Sequence, residues 1–219
     1  MFGDTAAHRG RLRVKICGIT NLEDARAAIA AGADALGFNC YPESKRYLRL
    51  ECAAAWIAEL PREIGKVAVV VNPSWEEARA IAALPYITAL QLHGDESPEF
   101  CGRLAAEGVL FAKALGATDP AAMGSGITYS TDVIVLDSVA GSLFGGTGTT
   151  FPWRIASEFA ATHPDLRIVL AGGLTPSNVA DAVASSRPYG VDVTTGVESS
   201  PGRKDHVLLR RFIEAARAI

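Results

Sequence analysis

The sequence predicts an α/β fold, an eight-stranded parallel (β/α)8 TIM barrel, on three observations. Eight short apolar runs rich in β-branched residues recur along the 219-residue chain, as expected of strands buried on both faces. Ala-rich amphipathic segments separate the runs, and such alternation predicts a parallel sheet. The eight units of about 27 residues are regularly spaced, which favours a closed barrel over the alternative, an open doubly wound sheet.

The apolar runs are short, and nearly every one is followed by polar or Gly-rich residues, which is typical of barrel strands. The predicted strands cover residues 13–17, 35–38, 66–71, 89–92, 109–113, 133–136, 167–170 and 191–193.

Capping residues mark where the helices begin and end. Asn21 opens the first helix as its N-cap, and Gly32 ends it. The interval 117–132 contains proline, two glycines and several Ser/Thr residues, so the fifth helix is predicted to be weak or replaced by a loop. Other helix starts are predicted at Ser74, at Ser97 and Pro98, at Pro176 and Ser177, and near Lys204.

Composition excludes several classes of protein. Hydrophobic residues make up 49% of the chain and charged residues 21%, which excludes disorder. The net charge of −3 argues against a nucleic-acid partner, and no apolar run is long enough to span a membrane. Residues 1–12 are expected to form a polar tail and 13–219 a single domain. The N-terminal segment does not resemble a signal peptide, so the cytoplasm is the expected compartment.

Cysteine and histidine spacing predicts neither a metal site nor a disulfide framework. No two cysteines form a CxxC pair, and no histidine lies at zinc-ligand spacing from a cysteine. The residues concerned are Cys17, Cys40, Cys52 and Cys101, and His8, His93, His163 and His206.

The active site of such a barrel lies at the carboxyl ends of its strands. Cys17 ends the first strand just before a helix whose N-terminal dipole favours a thiolate. Asp137 ends the sixth strand, and the two side chains can face each other across a ligand. They form a candidate base and acid. The alternatives are an inert core cysteine and a carboxylate that caps a loop.

Glycine clusters follow the last three strands. Gly172 and Gly173 come after the seventh strand and Thr195 and Gly196 after the eighth, where many barrels bind phosphate through backbone N–H groups. A loop that includes Gly146 supplies further donors. We therefore predict a phosphate site, the alternative being that these glycines only make turns.

Two further polar residues belong to the predicted substrate site. Arg46 lies in the loop after the second strand, and arginine is suited to bidentate carboxylate binding; a solvated surface arginine is the alternative. His93 ends the fourth strand, where it either lines the pocket or satisfies a local hydrogen bond.

Eight segments together resemble the phosphoribosylanthranilate isomerase family of ribulose-phosphate-binding barrels. The resemblance runs from about Arg13 to the C-terminus, and the motifs follow seven of the eight strands. The segments are KICGIT (15–20), GFNCYPESKRYL (37–48), VVVNPS (69–74), QLHGDE (91–96), LDS (136–138), GGTGTTF (145–151), LAGGLTPSNV (170–179) and DVTTGVESSPGRKD (192–205).

The resemblance implies a reaction and a set of roles. The reaction is a cofactor-free Amadori rearrangement of N-(5-phospho-β-D-ribosyl)anthranilate to 1-(2-carboxyphenylamino)-1-deoxy-D-ribulose 5-phosphate, a step of tryptophan biosynthesis. Cys17 is implied as the general base, Asp137 as the general acid and Arg46 as the contact to the anthranilate carboxylate. The glycines after strands seven and eight are implied to bind phosphate. The partner is a phosphorylated small molecule, and the chain is expected to be a monomer or a homodimer.

The sequence departs from the family pattern in two places. Thr149 and Pro152 replace a lysine and an aspartate that usually follow the GGTG segment, and Asn39 and Cys40 replace an aromatic or aliphatic pair. Two other functions remain open. A related histidine-pathway aminoaldose–ketose isomerase would carry an aspartate where Cys17 stands, and a non-catalytic phosphate-binding barrel would not need Cys17 and Asp137.

Overall fold

A computed structural model describes residues 1, 10–117, 124, 126–138 and 151–218. Eight parallel strands pair in sequence order and form a closed barrel, with β8 hydrogen-bonded to β1. The predicted fold class is confirmed. The strands are β1 (Arg13–Cys17), β2 (Ala35–Asn39), β3 (Gly65–Val70), β4 (Ala89–Leu92), β5 (Phe111–Gly116), β6 (Val133–Asp137), β7 (Arg167–Leu170) and β8 (Gly190–Val193).

Seven helices of eight to eleven residues connect the strands or follow the last one in the described part of the chain. They are α1 (Leu22–Ala31), α2 (Leu50–Ala58), α3 (Trp75–Ala82), α4 (Pro98–Ala106), α5 (Trp153–Thr162), α6 (Val179–Ser186) and α7 (His206–Ala216). A short 3-10 turn at Thr195–Val197 and an antiparallel hairpin of β9 (Glu198–Ser200) and β10 (Arg203–Lys204) lie between β8 and α7.

Local capping explains where the helices begin. The Asn21 side chain accepts a hydrogen bond from the Asp24 N–H, and Gly32 ends α1 in the left-handed conformation with φ of 100°. Ser74 and Ser97 cap α3 and α4 in the same way as Asn21 caps α1. These predicted caps are confirmed.

Four predicted strands differ from the observed ones by one residue at one or both ends, and the fifth strand ends at Gly116 and not at 113. Two predicted starts are wrong for local reasons. The fifth strand begins at Phe111 and not at 109, because the Val109 N–H bonds the Leu104 carbonyl in the turn that ends α4. Helix α6 begins at Val179 and not at Pro176. The Asn178 side chain accepts a hydrogen bond from the Thr175 N–H, so the residues before Val179 form a separate turn.

The interval predicted as a weak fifth helix is described only in part. Gly126–Tyr129 form a single 3-10 turn, and residues 118–123 and 125 lie outside the described residues. Most of the predicted N-terminal tail, residues 2–9, also lies outside them. The division into a tail and one domain therefore stays a prediction.

Strand alternation divides the buried residues into two apolar clusters. Side chains such as Ile16, Leu36, Leu90 and Ile134 point outward and pack under the helices. Small inward-pointing side chains fill the barrel below the site, chiefly Ala and Val. No helix among the described residues is long and apolar enough to cross a membrane.

Asp24 on α1 ties the β9–β10 hairpin to the barrel. It is buried, and its carboxylate accepts hydrogen bonds from the Lys204 N–H at 3.0 Å and from His206 Nε2 at 2.8 Å. Asn21 donates a further bond at 2.8 Å. Burial acts to raise the pKa of Asp24, but these hydrogen bonds outweigh it and hold the pKa below its ordinary value.

The Asp24 network predicts a stability effect that depends on pH. Because the pKa is lowered in the folded state, the stabilisation is complete above the ordinary value of 3.8 and is lost as pH falls through the lowered value. We expect Asp24→Asn to reduce the free energy of unfolding at pH 7 by about 1–3 kcal/mol, and by less at pH 3 or below. Urea unfolding at both pH values measures this. Asp181→Asn, at an exposed position on α6, is the control. A difference between Asp24→Asn and wild type that does not change with pH would contradict the assignment.

Candidate active site

A polar pocket opens at the carboxyl ends of the strands. Seven strands or the loops after them contribute to it. The predicted residues that line it are Cys17, Arg46, His93, Asp137, Gly172, Gly173 and Thr195, and they are joined by Gly18, Asn39, Tyr41, Ser44, Val69, Val71, Gln91, Ser138, Ala171, Leu174, Asp192, Val193 and Thr194. Gly146 lies outside the described residues.

Cys17 occupies the last position of β1, on the inward face. Its neighbour on that face is Lys15, which is fully buried and donates to Asp192 Oδ2 at 2.7 Å. Gly37 on β2 lies beside both side chains: a methyl group built on Gly37 would lie 2.7 Å from Cys17 Sγ and 3.0 Å from Lys15 Nζ. The thiol is thus next to a buried ammonium group.

Asp137 lies at the end of β6 and faces His93 from β4. The distance between His93 Nε2 and Asp137 Oδ2 is 3.5 Å, and Ser138 Oγ donates to Asp137 Oδ1 at 3.3 Å. On its other side, His93 Nδ1 is 2.9 Å from Gln91 Nε2. If that amide nitrogen donates, Nδ1 is the acceptor and Nε2 carries the proton that points at Asp137.

The loop that carries His93 is held by a second buried ion pair. Lys113 Nζ donates to Glu96 Oε2 at 2.9 Å and to the Gly94 carbonyl at 2.7 Å. Glu96 also accepts from the N–H groups of Asn72 and Gly94. The residues on either side of His93 are therefore fixed to β5 and to the loop after β3.

Arg46 lies in the pocket wall and forms a bidentate ion pair with Glu198 on β9. Its Nε and Nη2 atoms donate to the two carboxylate oxygens at 3.2 and 2.7 Å. Lys204 Nζ donates to Glu198 Oε1 at 3.2 Å and to the Thr194 carbonyl at 3.1 Å. Burial acts to raise the pKa of Glu198, but Arg46 and Lys204 outweigh it and lower the pKa below its ordinary value. Arg46 is therefore not a solvated surface arginine.

Gly172, Gly173 and Thr195 line one end of the pocket, whereas Gly196, the next residue along the chain, does not line it. Gly172 and Gly173 have φ of 82° and 62°, in the left-handed region. Gly196 lies under the loop after β7, and a Cβ there would be 1.9 Å from the Leu174 carbonyl oxygen. Within the described ranges, no acceptor engages the N–H groups of Gly172, Gly173, Thr195 and Gly196.

The other three cysteines lie in different surroundings. Burial, with a smaller contribution from Glu51, raises the pKa of Cys40 to about 12. Burial also raises the pKa of Cys101 to about 11, and Cys52 is exposed. No group of three or more His, Cys, Asp or Glu side chains within the described ranges has a metal-binding arrangement.

Sequence reasoning did not single out the polar partners of the predicted residues, among them Lys15, Gln91, Asp192, Glu198 and Lys204. A usable signal exists for three of them. Lys15, Gln91 and Asp192 stand between apolar neighbours in their strands, two residues before Cys17, His93 and Thr194. Period-two alternation therefore places both residues of each pair on one face.

A closed parallel barrel with a polar pocket at the carboxyl ends of its strands defines the class of (β/α)8-barrel enzymes. A family model described as N-(5'-phosphoribosyl)anthranilate (PRA) isomerase matches residues 14–215. The chain belongs to this isomerase family.

Individual relatives agree with the family model over almost the whole chain. N-(5'-phosphoribosyl)anthranilate isomerase of Trichlorobacter lovleyi is 45% identical over 209 residues, or 94% of this chain and 98% of the relative. The crystal structure of phosphoribosyl anthranilate isomerase from Thermotoga maritima has a TM-score of 0.85 and 41% identity, and the match covers 95% of this chain and 100% of that one. A crystal structure of such an isomerase in complex with reduced 1-(o-carboxyphenylamino)-1-deoxyribulose 5-phosphate has a TM-score of 0.82, with the same identity and coverage.

Proposed function

We propose that this chain catalyses the Amadori rearrangement of N-(5-phospho-β-D-ribosyl)anthranilate to 1-(2-carboxyphenylamino)-1-deoxy-D-ribulose 5-phosphate. The observation that carries the proposal is that a thiol and a carboxyl group, Cys17 and Asp137, line one pocket in a chain of this family. A related isomerase binds a reduced form of that ketose. The reaction uses no cofactor, because it only moves protons within one molecule.

Ring opening is the first step, and Asp137 acts as the acid. The protonated carboxyl group gives its proton to the ring oxygen of the ribose, the bond from C1′ to that oxygen breaks, and the nitrogen lone pair forms an iminium ion with C1′. His93, 3.5 Å from Asp137, orients the carboxyl group. Ser138 supports the other oxygen.

Proton abstraction is the second step, and Cys17 acts as the base. Its thiolate takes the proton from C2′, and the electron pair of that bond neutralises the iminium ion to give an enolamine. Tautomerisation then adds a proton to C1′ and removes the proton of the 2′ hydroxyl. The proton held by Cys17 and the proton lost from that hydroxyl supply C1′ and Asp137, so the enzyme returns to its starting state.

The phosphate group of the substrate binds at the backbone N–H groups of Gly172, Gly173, Thr195 and Gly196. Backbone N–H groups that no described residue engages are suited to binding a phosphate. Their placement after β7 and β8 agrees with the usual phosphate site of this fold. Gly146 is a further candidate donor, but it lies outside the described residues.

Arg46 binds the anthranilate carboxylate with the part of its guanidinium group that Glu198 leaves available. Glu198 occupies the edge formed by Nε and Nη2, so the edge formed by Nη1 and Nη2 donates to the ligand carboxylate. Glu198 also fixes the orientation of the guanidinium group before the ligand arrives. Because the guanidinium group is already held in place, less side-chain entropy is lost when the ligand binds.

The alternatives differ in substrate or in turnover. A histidine-pathway aminoaldose isomerase would need an aspartate at the end of β1, where this chain has Cys17. A phosphate-binding barrel without catalysis would bind the ketose phosphate but not form it. A fluorescence assay on freshly prepared phosphoribosylanthranilate, with the histidine-pathway aminoaldose as a second substrate, separates all three. Turnover of only the histidine-pathway compound, or of neither, would overturn the proposal. The expected compartment is the cytoplasm, and the expected state is a monomer or a homodimer.

The phosphate site predicts an effect of a methyl group at Gly196. The new Cβ of Gly196→Ala would collide with the Leu174 carbonyl and displace the loop after β7. We expect KM to rise at least ~10-fold and competitive inhibition by inorganic phosphate to weaken similarly, the scale of one or two lost charge-assisted hydrogen bonds. Gly102→Ala on α4 is the control, since its Cβ would meet only Ser130 Oγ at 3.6 Å. Wild-type inhibition by phosphate in Gly196→Ala would place the site elsewhere.

The role of Arg46 predicts a loss of affinity rather than of chemistry. Arg46→Ala should weaken substrate binding by about 1.5–3 kcal/mol, because a charge-assisted bond to a remote carboxylate is lost. Arg46→Lys should recover only part, since an ammonium group cannot bind two carboxylates with two edges. Steady-state KM and kcat measure the effect, and Lys45→Ala at the exposed neighbouring position should match wild type. Unchanged KM and kcat/KM in Arg46→Ala would show that Arg46 does not bind the substrate and only pairs with Glu198.

The acid and base predict large losses in kcat. Cys17→Ala and Asp137→Ala should each lower kcat by at least ~10²–10⁴-fold, the usual contribution of a positioned acid or base. Asp137→Asn should be nearly as severe because an amide is a poor proton donor, and Cys17→Ser because a hydroxyl is a far weaker acid than a thiol. The controls are Cys52→Ala and Asp95→Asn, both at exposed positions. Near-wild-type kcat in folded Cys17→Ala would remove Cys17 as the base.

A further inference from the structure

We infer that Lys15 is a positioning residue for catalysis, which holds Cys17 as a thiolate and is itself fixed by Asp192. This inference rests on the proposed function, in which Cys17 is the base. Lys15 does not line the pocket, whereas Cys17 and Asp192 do. The lysine therefore acts on the reaction through the sulfur and not by contact with the substrate.

The ammonium group of Lys15 and the sulfur of Cys17 lie next to each other inside the barrel. Lys15 and Cys17 are two residues apart on β1, so both point into the barrel. Gly37 on β2 is paired with Cys17, and its missing side chain leaves the room that Lys15 Nζ and Cys17 Sγ share. On β8, the other strand paired with β1, Asp192 Oδ2 accepts a hydrogen bond from the ammonium group at 2.7 Å.

The charge of Lys15 is maintained by its neighbours. Full burial acts to lower the pKa of Lys15, but the Asp192 carboxylate and then the Cys17 sulfur outweigh it, and the pKa lies above its ordinary value. A buried cation next to a thiol favours the ionised form of that thiol.

The ionisable groups around Cys17 have a surplus of positive charge. Lys15 on β1, Lys204 on β10 and Arg46 after β2 are cations, while Asp192 on β8 and Glu198 on β9 are the two carboxylates paired with them. A thiolate at Cys17 balances this set. Lys204 also interacts electrostatically with Cys17, but its ammonium group is directed to Glu198 and the Thr194 carbonyl.

Two other titratable neighbours of Cys17, Cys40 and His93, do not supply a positive charge next to its sulfur. The Cys40 thiol, next to β2, has its pKa raised to about 12 by burial, with Glu51 as a smaller cause, so it stays neutral near pH 7. Across the pocket, His93 is directed to Asp137 and to Gln91. Lys15 is the cation that shares the space over Gly37 with the sulfur.

Alkylation of Cys17 by iodoacetamide tests the inference without turnover, because only the thiolate reacts. The rate at Cys17 would be measured from pH 5 to 10 by mass spectrometry of its peptide, with exposed Cys52 as the internal reference. In Lys15→Met we expect the curve of rate against pH to move to higher pH. A displacement of one pH unit would lower the rate at pH 7 by about tenfold. The rate at Cys52 should not change. The acidic limb of kcat/KM should move in the same direction.

Three further variants separate charge from fold. Lys15→Arg keeps a cation and should keep the early rise. The double variant Lys15→Met, Asp192→Asn removes both charges while it keeps the shape of the pair, so it should fold even if Lys15→Met leaves Asp192 unpaired and unfolds. It should also show the late rise. Lys113→Met, at a lysine that is buried and ion-paired but belongs to the His93 loop, is the matched control and should leave Cys17 alkylation unchanged.

Superimposable pH curves for Cys17 in wild type and in Lys15→Met, or in the double variant, would overturn the inference. An equal shift in Lys113→Met would also overturn it, since the effect would then follow from lost stability. Failure of the proposed function has another signature. Wild-type kcat in Cys17→Ala would remove the base, whereas the alkylation curves would still report whether Lys15 favours the thiolate.

Discussion

The contact between β8 and β1 closes the barrel, and a buried ion pair lies directly on it. Lys15 and Asp192 are register partners on these strands and are joined by the 2.7 Å bond between their side chains. A shift of either strand by one residue would turn its charge toward the apolar layer under the helices and would leave the other charge unpaired inside the barrel. A buried ion pair adds little net stability compared with a well-packed apolar pair. Its value here is that only one register satisfies it, and that register also puts Cys17 at the mouth of the pocket.

The pocket rim repeats this principle with charged side chains that come from distant parts of the chain. Glu198 connects Arg46 to Lys204, and the backbone of Lys204 is bound by Asp24 on α1. The hairpin after β8 is therefore attached both to the loop after β2 and to the first helix. The groups that would hold the substrate carboxylate are the same groups that fold this side of the barrel. Substitutions here are expected to affect binding and stability together.

Patterns in the sequence predicted the barrel, most strand positions and the residues at strand ends, because these depend on local alternation and on a general rule of the fold. Cys17 and Asp137 were found in this way. The partners of those residues were not found, since Lys15 and Asp192 are 177 positions apart and Arg46 and Glu198 are 152 apart. Which distant charges meet is decided by strand register and loop packing, which a local pattern does not contain. The start of β5 was misplaced for a smaller reason: the turn at Gly108 uses Val109 and leaves Leu110 exposed.

The absence of a side chain at Gly37 determines how closely Lys15 Nζ and Cys17 Sγ approach each other. Glycine inside a strand usually weakens it by roughly 0.5–1 kcal/mol relative to alanine, yet here the missing side chain keeps the ammonium group and the sulfur together. An added methyl would act as a wedge between two side chains whose formal charges stay the same. Gly37 is thus the position at which an engineer could change the separation of the pair independently of its charge. Natural variation toward larger residues at this strand position would, for the same reason, be limited by chemistry rather than by β-sheet propensity.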